Sequence, residues 1–338
     1  MAGAPRPGRH PIGSENMIRY VLKRIVLLIP VIIGVSFVVY VLLDLAPGNI
    51  VDDIVANSSI GLSEEDVQAL RSEYDLDKPM IYRYGKYMFK LVQGDLGVGE
   101  ITKVNVWDTF MYRLPKTLLL SITSLILGAG AAIPLGIAAA KRAGSLVDNA
   151  ITVFSLVGIS MPSFWLGLLL LQLFSLKLGW LPGGGDRHGI RSLILPAVCS
   201  GLMLMMTATR QTRSSMLDVL NADYLRTARA KGVPEEDVTR RHALGNAWIP
   251  ILTTIGNSLG ASLAGSVVVE TVFAWPGVGR MAADAVRQRD VTTTLGCVIL
   301  TSILFVLVQI LVDLMYAFVD PRIKSQYLSI RKKRKHAV

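Results

Sequence analysis

Charge is missing from six long stretches of this 338-residue chain. Ile25–Leu43, Thr117–Ala140, Ala150–Leu176, Ser192–Thr209, Ala247–Val269 and Val291–Val312 contain no Lys, Arg, Asp or Glu. That absence excludes an ordinary soluble domain, whose apolar residues are interleaved with polar ones at short period. Each block reaches the roughly 17–25 apolar residues that a membrane-crossing helix needs. Lipid offers no hydrogen bonds to the backbone, so such segments must be helical. The expected fold is an all-α integral membrane protein with six transmembrane helices.

Other shortages narrow the chemistry. The two cysteines, Cys199 and Cys297, fall inside apolar blocks without partner spacing, so they mark neither a disulfide framework nor a metal site. The four histidines, His10, His188, His242 and His336, are scattered and support no Ser–His–Asp constellation. GxxxxGK[ST] and HExxH are both missing, which removes P-loop ATP hydrolysis and zincin chemistry. The expectation is a chain that is not an enzyme and binds no cofactor of its own. No carboxylate sits mid-span, which weighs against a proton- or sodium-driven carrier. Glu270 and Asp313 fall at helix ends, where water is expected to reach them. The first apolar block is long for a signal peptide and is followed by LDLAPGN rather than small cleavage-site residues, so it reads as an uncleaved span.

What is abundant is positive charge, +10 net. With the N-terminus placed inside, the inner segments carry 21 Lys and Arg and the two short outer segments carry six. The remaining eight lie in the long segment Asp44–Lys116 among twelve acids, and long loops count little in the positive-inside rule. Both termini are therefore expected in the cytoplasm. Topology absorbs the basic excess that otherwise suggests nucleic acid, and the C-terminal RKKRK suits anionic lipid.

The chain divides into a disordered N-terminus (1–16), a first span (17–43), an outer loop (44–116), a core (117–320) and a basic tail (321–338). In the loop, Ser63 and Asp66 form the pattern of a capping box, and 75-DLDKPMIYRYGKYMFKLV-92 reads as a second, amphipathic helix. The loop is either a small cap over a translocation path or a surface loop. Gly128, Ala132, Gly136 and Ala140 form a small face on the second span, as do Gly256, Gly260 and Ala264 on the fifth. Such faces serve static bundle packing or a moving interface. Pro134, Pro162 and Pro196 are expected to kink their helices. Gln172, Asn257 and Gln309 are polar groups within spans, candidates to line a path or to bond a neighbouring helix.

One cytoplasmic stretch is punctuated differently: 224-YLRTARAKGVPEEDVTRRHALGNAWIP-250. Asp223 is placed to cap a short helix, Gly232 to stop it, and Pro234 with three acids to open a second one. A basic loop obeying the positive-inside rule accounts for the charge but not for this punctuation. A short rigid helix inserted into another protein's groove accounts for both. A DNA-binding helix-turn-helix is the third reading, disfavoured by tethering between two spans.

The same residues carry a resemblance. The stretch resembles the EAA-type loop of ATP-binding-cassette importer permeases, in the dipeptide/oligopeptide branch with its nickel and glutathione relatives. Here the branch pattern reads 223-DYLRTARAKG-232 and 241-RHALGNAWIP-250, with Gly245 where the branch carries Arg. GDLG at 94–97, IPLG at 133–136, MPSFWLG at 161–167, TRSSMLDVL at 212–220, ETVFAWPGVGR at 270–280 and DPRIK at 320–324 look like further signatures. The resemblance implies a B-type permease subunit with the type-I importer (MetI-like) fold in a bacterial or archaeal cytoplasmic membrane. It implies a homologous second permease, two cytoplasmic ATPase subunits that hold ATP and magnesium, and an extracytoplasmic binding protein. It also implies a coupling helix over Tyr224, Arg226, Thr227, Ala228, Arg229, Ala230, Lys231 and Gly232. Peptides lead as solutes, with a nickel chelate or glutathione as alternatives. A stand-alone secondary carrier and a membrane-anchored sensor are the competing functions.

Overall fold

The computed structural model describes residues 14–57, 62–263 and 266–319. Those residues are helical apart from turns and one isolated bridge between Val98 and Asn105. Helix α1 (Ser14–Leu45) leads into the outer loop, which holds α2 (Ile50–Asn57), α3 (Glu64–Glu73) and α4 (Met80–Val92). The core contains α5 (Val106–Lys141), α6 (Leu146–Ser160), α7 (Ser163–Leu170) extended by a π turn at Leu171–Lys177, and α8 (Ile190–Leu220). Then come α9 (Asp223–Ala230), α10 (Glu235–Asp237), a π turn (Val238–Ala243), α11 (Leu244–Leu263), α12 (Val267–Val272), α13 (Val278–Arg287) and α14 (Val291–Val319).

Among the described residues, α1, α5, α8 and α14 are long and apolar enough to cross a membrane, and the α6–α7 pair adds a fifth segment bent by 102°. The bend falls at Pro162. Proline disfavours helical geometry in the residue before it, and Met161 is accordingly extended, with ψ 128°. Helices α5 and α8 run on through Pro134 and Pro196, so of the three prolines only Pro162 breaks a span. The predicted fifth span is shared between α11 and α12. Its Thr253, Thr254, Asn257, Ser258 and Ser262 dilute its hydropathy, and Ser258 and Ser262 face an interior cavity.

Small residues set the helix pairing. Gly128, Ala132, Gly136 and Ala140 are all buried on α5. A Cβ on Gly128 would lie 2.6 Å from the Gly201 carbonyl, and one on Gly136 would lie 2.8 Å from that of Thr209. The α5 and α8 backbones therefore approach as closely as small faces permit in a membrane. On α11, Gly256 faces Val312 and Gly260 faces Phe305 and Gln309, which seats it on α14. Ala264 lies outside the described residues.

The outer loop is docked. Ser63 and Asp66 make both bonds of the capping box, at 3.2 and 3.1 Å. Helix α4 starts at Met80 rather than at the expected residue 75, because Asp75 is left-handed (φ 54°) and a turn runs to Pro79. Tyr84 then reaches α1, donating to the Ile33 carbonyl at 3.1 Å. In GDLG, the Asp95 carboxylate accepts from the Gly97 amide at 2.8 Å, and Leu96 is buried among Val106, Phe110, Cys297 and Leu300. The loop thus rests on the start of α14. At the N-terminus, Ser14–Asn16 already belong to α1, while the rest of the expected disordered segment and the RKKRK tail lie outside the described residues.

Candidate functional site

Helix α9 is short because its sequence ends it on both sides. Ala222, with extended backbone, occupies the N-cap position and makes no side-chain cap bond. Asp223 is instead the first helical residue, paired with Arg226 at 3.8 Å, so the expected capping role is corrected. The C-terminus is a complete Schellman motif. The Val233 amide donates to the Ala228 carbonyl at 3.3 Å and the Gly232 amide to that of Arg229 at 2.9 Å. Gly232 adopts φ +79°, the left-handed geometry glycine takes without strain.

One side chain anchors this helix. Leu225 is fully buried in a cluster with Ala140, Met216, Val238, Ala243, Ala247 and Ile251, and Ala228 packs beside it. Tyr224, Arg226, Thr227, Arg229, Ala230, Lys231 and Gly232 face solvent. Fully burying a Leu side chain contributes about 1.5–3 kcal/mol, enough to hold so short a helix against the bundle. Arg229 forms a two-pronged pair with Glu235 at 2.9 and 3.0 Å across the Gly-Val-Pro turn. That guanidinium holds the Glu235 carboxyl below its ordinary range.

Past Pro234 the expected second helix opens at Glu235. Glu235–Asp237, the π turn and α11 follow one another without a break, so helical backbone runs from Glu235 to Leu263. Upstream, Asp148 at the start of α6 is buried and accepts from Arg213 of α8 at 2.7 Å and from the Gly144 amide at 2.9 Å. That knot fixes the turn after α5 to α8, about two turns and a loop before α9.

The other end of the bundle has a second knot. Glu270 is fully buried, which overturns the expectation that water reaches it. Its carboxylate accepts from the Thr117 hydroxyl at 2.8 Å and from the Arg280 amide at 2.9 Å. Thr117 also accepts from the Val278 amide at 2.9 Å, and Trp275 donates to the Lys116 carbonyl at 3.0 Å. A Cβ on Gly277 would lie 2.4 Å from the carboxylate. ETVFAWPGVGR is thereby explained as a fold around one buried acid. Asp313 pairs with Arg24 at 2.8 Å and is part-exposed.

Between these knots lies a cavity of about 460 Å³, lined from α5, α7, α8, α11 and α12. Gln172 and Asn257 are exposed and Gln309 packs against Gly260; none of the three lines this cavity. Sequence reasoning missed the cavity because its hydroxyls are spread over four helices and the residue before α12. Leu225 was the more legible signal, as the only large aliphatic side chain in an otherwise polar helix.

Residues 132–325 match the family model described as binding-protein-dependent transport system inner membrane component. The chain is 39% identical over 320 residues to the oligopeptide transport system permease protein AppB of Bacillus subtilis, covering 91% of this chain and all of the relative. It is 35% identical to the dipeptide transport system permease protein DppB of Escherichia coli strain K12, covering 92% of this chain and all of that one. The glutathione transport system permease protein GsiC of Escherichia coli is 38% identical, with 91% of this chain and 99% of the relative covered. Among solved structures, an inward-facing MetNI methionine ABC transporter matches with TM-score 0.54 and 17% identity over 62% of this chain and 96% of that one, a likeness of fold.

Proposed function

This chain belongs to the family of binding-protein-dependent transport system inner membrane components, and from that premise we propose how it acts within an importer. It is a membrane permease subunit with no catalytic centre or cofactor of its own. With a homologous second permease it forms the path for di- or oligopeptides, and two cytoplasmic ATPases holding ATP and magnesium drive it. An extracytoplasmic binding protein delivers the solute, and both termini lie in the cytoplasm. Helix α9 sits in an ATPase cleft.

The observation that carries this reading is the division of α9 into one buried anchor, Leu225, and a solvent-facing basic surface. A loop that only satisfied topology would need neither the anchor nor the Schellman stop. Motion received at the exposed face passes through Leu225 to α8 and α11. The small-residue seams then re-orient the packed spans together. Peptides lead as solute because oligopeptide and dipeptide permeases are among the relatives; the glutathione relative keeps that tripeptide as the alternative.

The test is vesicle uptake by the assembled complex across labelled peptides, glutathione and a nickel chelate. Peptide uptake that requires ATP and the binding protein is expected. Uptake by this chain alone, without ATPases, would establish the secondary-carrier alternative instead.

A further inference from the structure

Helix α4 of the outer loop carries an apolar side that the described residues leave open. At 3.6 residues per turn, Ile81, Gly85, Phe89 and Val92 share this side, bordered by Tyr82. Ile81, Phe89 and Val92 are 70%, 67% and 84% exposed. The next side carries Lys86 and Lys90, both exposed. The third carries Tyr84, Tyr87, Met88 and Leu91, which turn inward. A helix on the surface of a water-soluble cap needs one apolar stripe and one polar face. Helix α4 has two apolar sides, and the chain uses one of them.

The contacts of the inward side fix the height of α4 against the spans. The Tyr84 ring lies against Phe37 and Tyr40 of α1, with ring centroids 5.3 and 5.5 Å apart, and Arg83 pairs with Asp44 at 2.6 Å. The apolar span of α1 runs from Leu22 to Leu45, so Tyr40 lies about 7 Å inside its end. Leu91 gives a second gauge. It packs against the cluster that holds Cys297 and Leu300, about 9–14 Å into the span that starts at Val291. Val106 and Phe110 of that cluster open α5, where Trp107 and Tyr112 are exposed, as aromatic side chains are at a membrane–water interface. Three spans therefore agree that α4 sits just inside their outer ends. An amphipathic helix on a bilayer buries its apolar face about 5–10 Å into the headgroup and acyl boundary. At this height α1 itself exposes Val38 and Leu42, so the open side of α4 continues a lipid-facing surface.

We infer that α4 is moored in the bilayer leaflet on the loop's side of the membrane, with Ile81, Phe89 and Val92 among the acyl chains. Lys90 then reaches up to the lipid phosphates on its four-carbon stem, while Lys86 stays with Asp75. Leu96 and Glu100, through which the loop docks on α14, follow a few residues later. The leaflet thus sets the height at which the loop rests on α14. Helix α3, which opens with Glu64, Glu65 and Asp66, stays in water. The inference needs only that the spans cross a bilayer, and it holds whatever the solute.

The experiment uses the full chain in its assembled complex, reconstituted in phosphatidylethanolamine–phosphatidylglycerol vesicles. Nitroxide labels go on Ile81→Cys, Phe89→Cys and Val92→Cys, with Gln68→Cys on α3 as the water reference. Cys199 and Cys297 are buried, and the unsubstituted chain gives the blank. Collision with oxygen, which concentrates among acyl chains, is divided by collision with a chromium oxalate complex, which stays in water. The ratio at residues 81, 89 and 92 should exceed that at residue 68 at least fivefold. Ratios equal to the water reference overturn the inference. Labels reached by neither reagent overturn it in favour of a protein partner that covers α4. In a second measurement, Phe89→Asp should speed hydrogen exchange across residues 80–92 at least tenfold, and Phe89→Leu should leave it near wild type. Exchange unaltered by Phe89→Asp overturns the mooring. Uptake enters neither readout, so failure here leaves the importer reading in place.

Discussion

Gly232 separates backbone from packing. A Cβ there meets nothing within 4 Å, so the first side-chain atom is not opposed by a neighbour. What opposes it is φ +79°, where an L-residue loses roughly 1–2 kcal/mol. Asn tolerates the left-handed region and Leu does not, so Gly232→Asn should retain uptake while Gly232→Leu should uncouple hydrolysis from uptake. Equal behaviour of the two in a transport assay would remove the Schellman stop from the mechanism. Glu270 is the opposite case, held by its surroundings rather than by its own backbone. Glu270→Ala leaves the Arg280 amide and the Thr117 hydroxyl without their acceptor. A buried donor left unsatisfied costs about 1–3 kcal/mol. The purified variant should melt several degrees lower, and Glu270→Gln should recover part of the loss. The sequence showed Gly232 because its partners are within five residues. It hid Glu270 because Thr117 is 153 positions away.

At the scale of elements, the outer loop's docking on α14 titrates. Glu100 accepts from the Thr292 hydroxyl at 2.9 Å, and the Asp290 carboxylate beside it accepts from the Thr293 amide at 2.8 Å. Burial first, and the neighbouring Asp290 second, push the Glu100 carboxyl up to about 7. A carboxyl whose folded pKa is raised binds more protons folded than unfolded. Its contribution is full below the ordinary glutamate value and declines as pH rises toward about 7. Hydrogen exchange at residues 95–105 should therefore speed up between pH 5 and pH 8 by more than its intrinsic chemistry, on the order of tenfold. Glu100→Gln should flatten that rise; an unchanged profile would exclude the pair as its source. The Arg229–Glu235 pair is exposed and carries the opposite sign, being kept at neutral pH and lost on acidification. Exposed pairs contribute about 0–1 kcal/mol, so Glu235→Gln should barely move stability. Local signals made α3 and the α9 stop readable in advance. The start of α4 was not, since DLDKP closes a turn only once Asp75 turns left-handed.

For the whole molecule the consequence lies in continuity. Spans and small faces were legible from composition and spacing, but neither reveals which helix a small face meets. Nor did the Pro-marked start after α9 reveal that helical backbone would run unbroken from Glu235 to Leu263. That run is the link between the anchored helix α9 and the wall of the cavity, because Leu225 touches the cluster at its near end and Ser258 and Ser262 lie near its far end. A rigid helix transmits a tilt, whereas a hinge absorbs it. Arg240 and Arg241 are exposed within the π turn, and among the described residues their side chains pair with Glu236 and Asp237 of the preceding turn. Replacing both with glycine removes no buried contact and adds flexibility, each glycine costing roughly 1 kcal/mol of helix propensity. The double variant should insert and hydrolyse ATP near the wild-type rate while peptide uptake falls at least fivefold. The double alanine variant, which removes the same charges but keeps the helix stiff, should transport normally. If both variants lose uptake together, the arginines act through charge. If neither does, motion reaches the cavity through α8 alone.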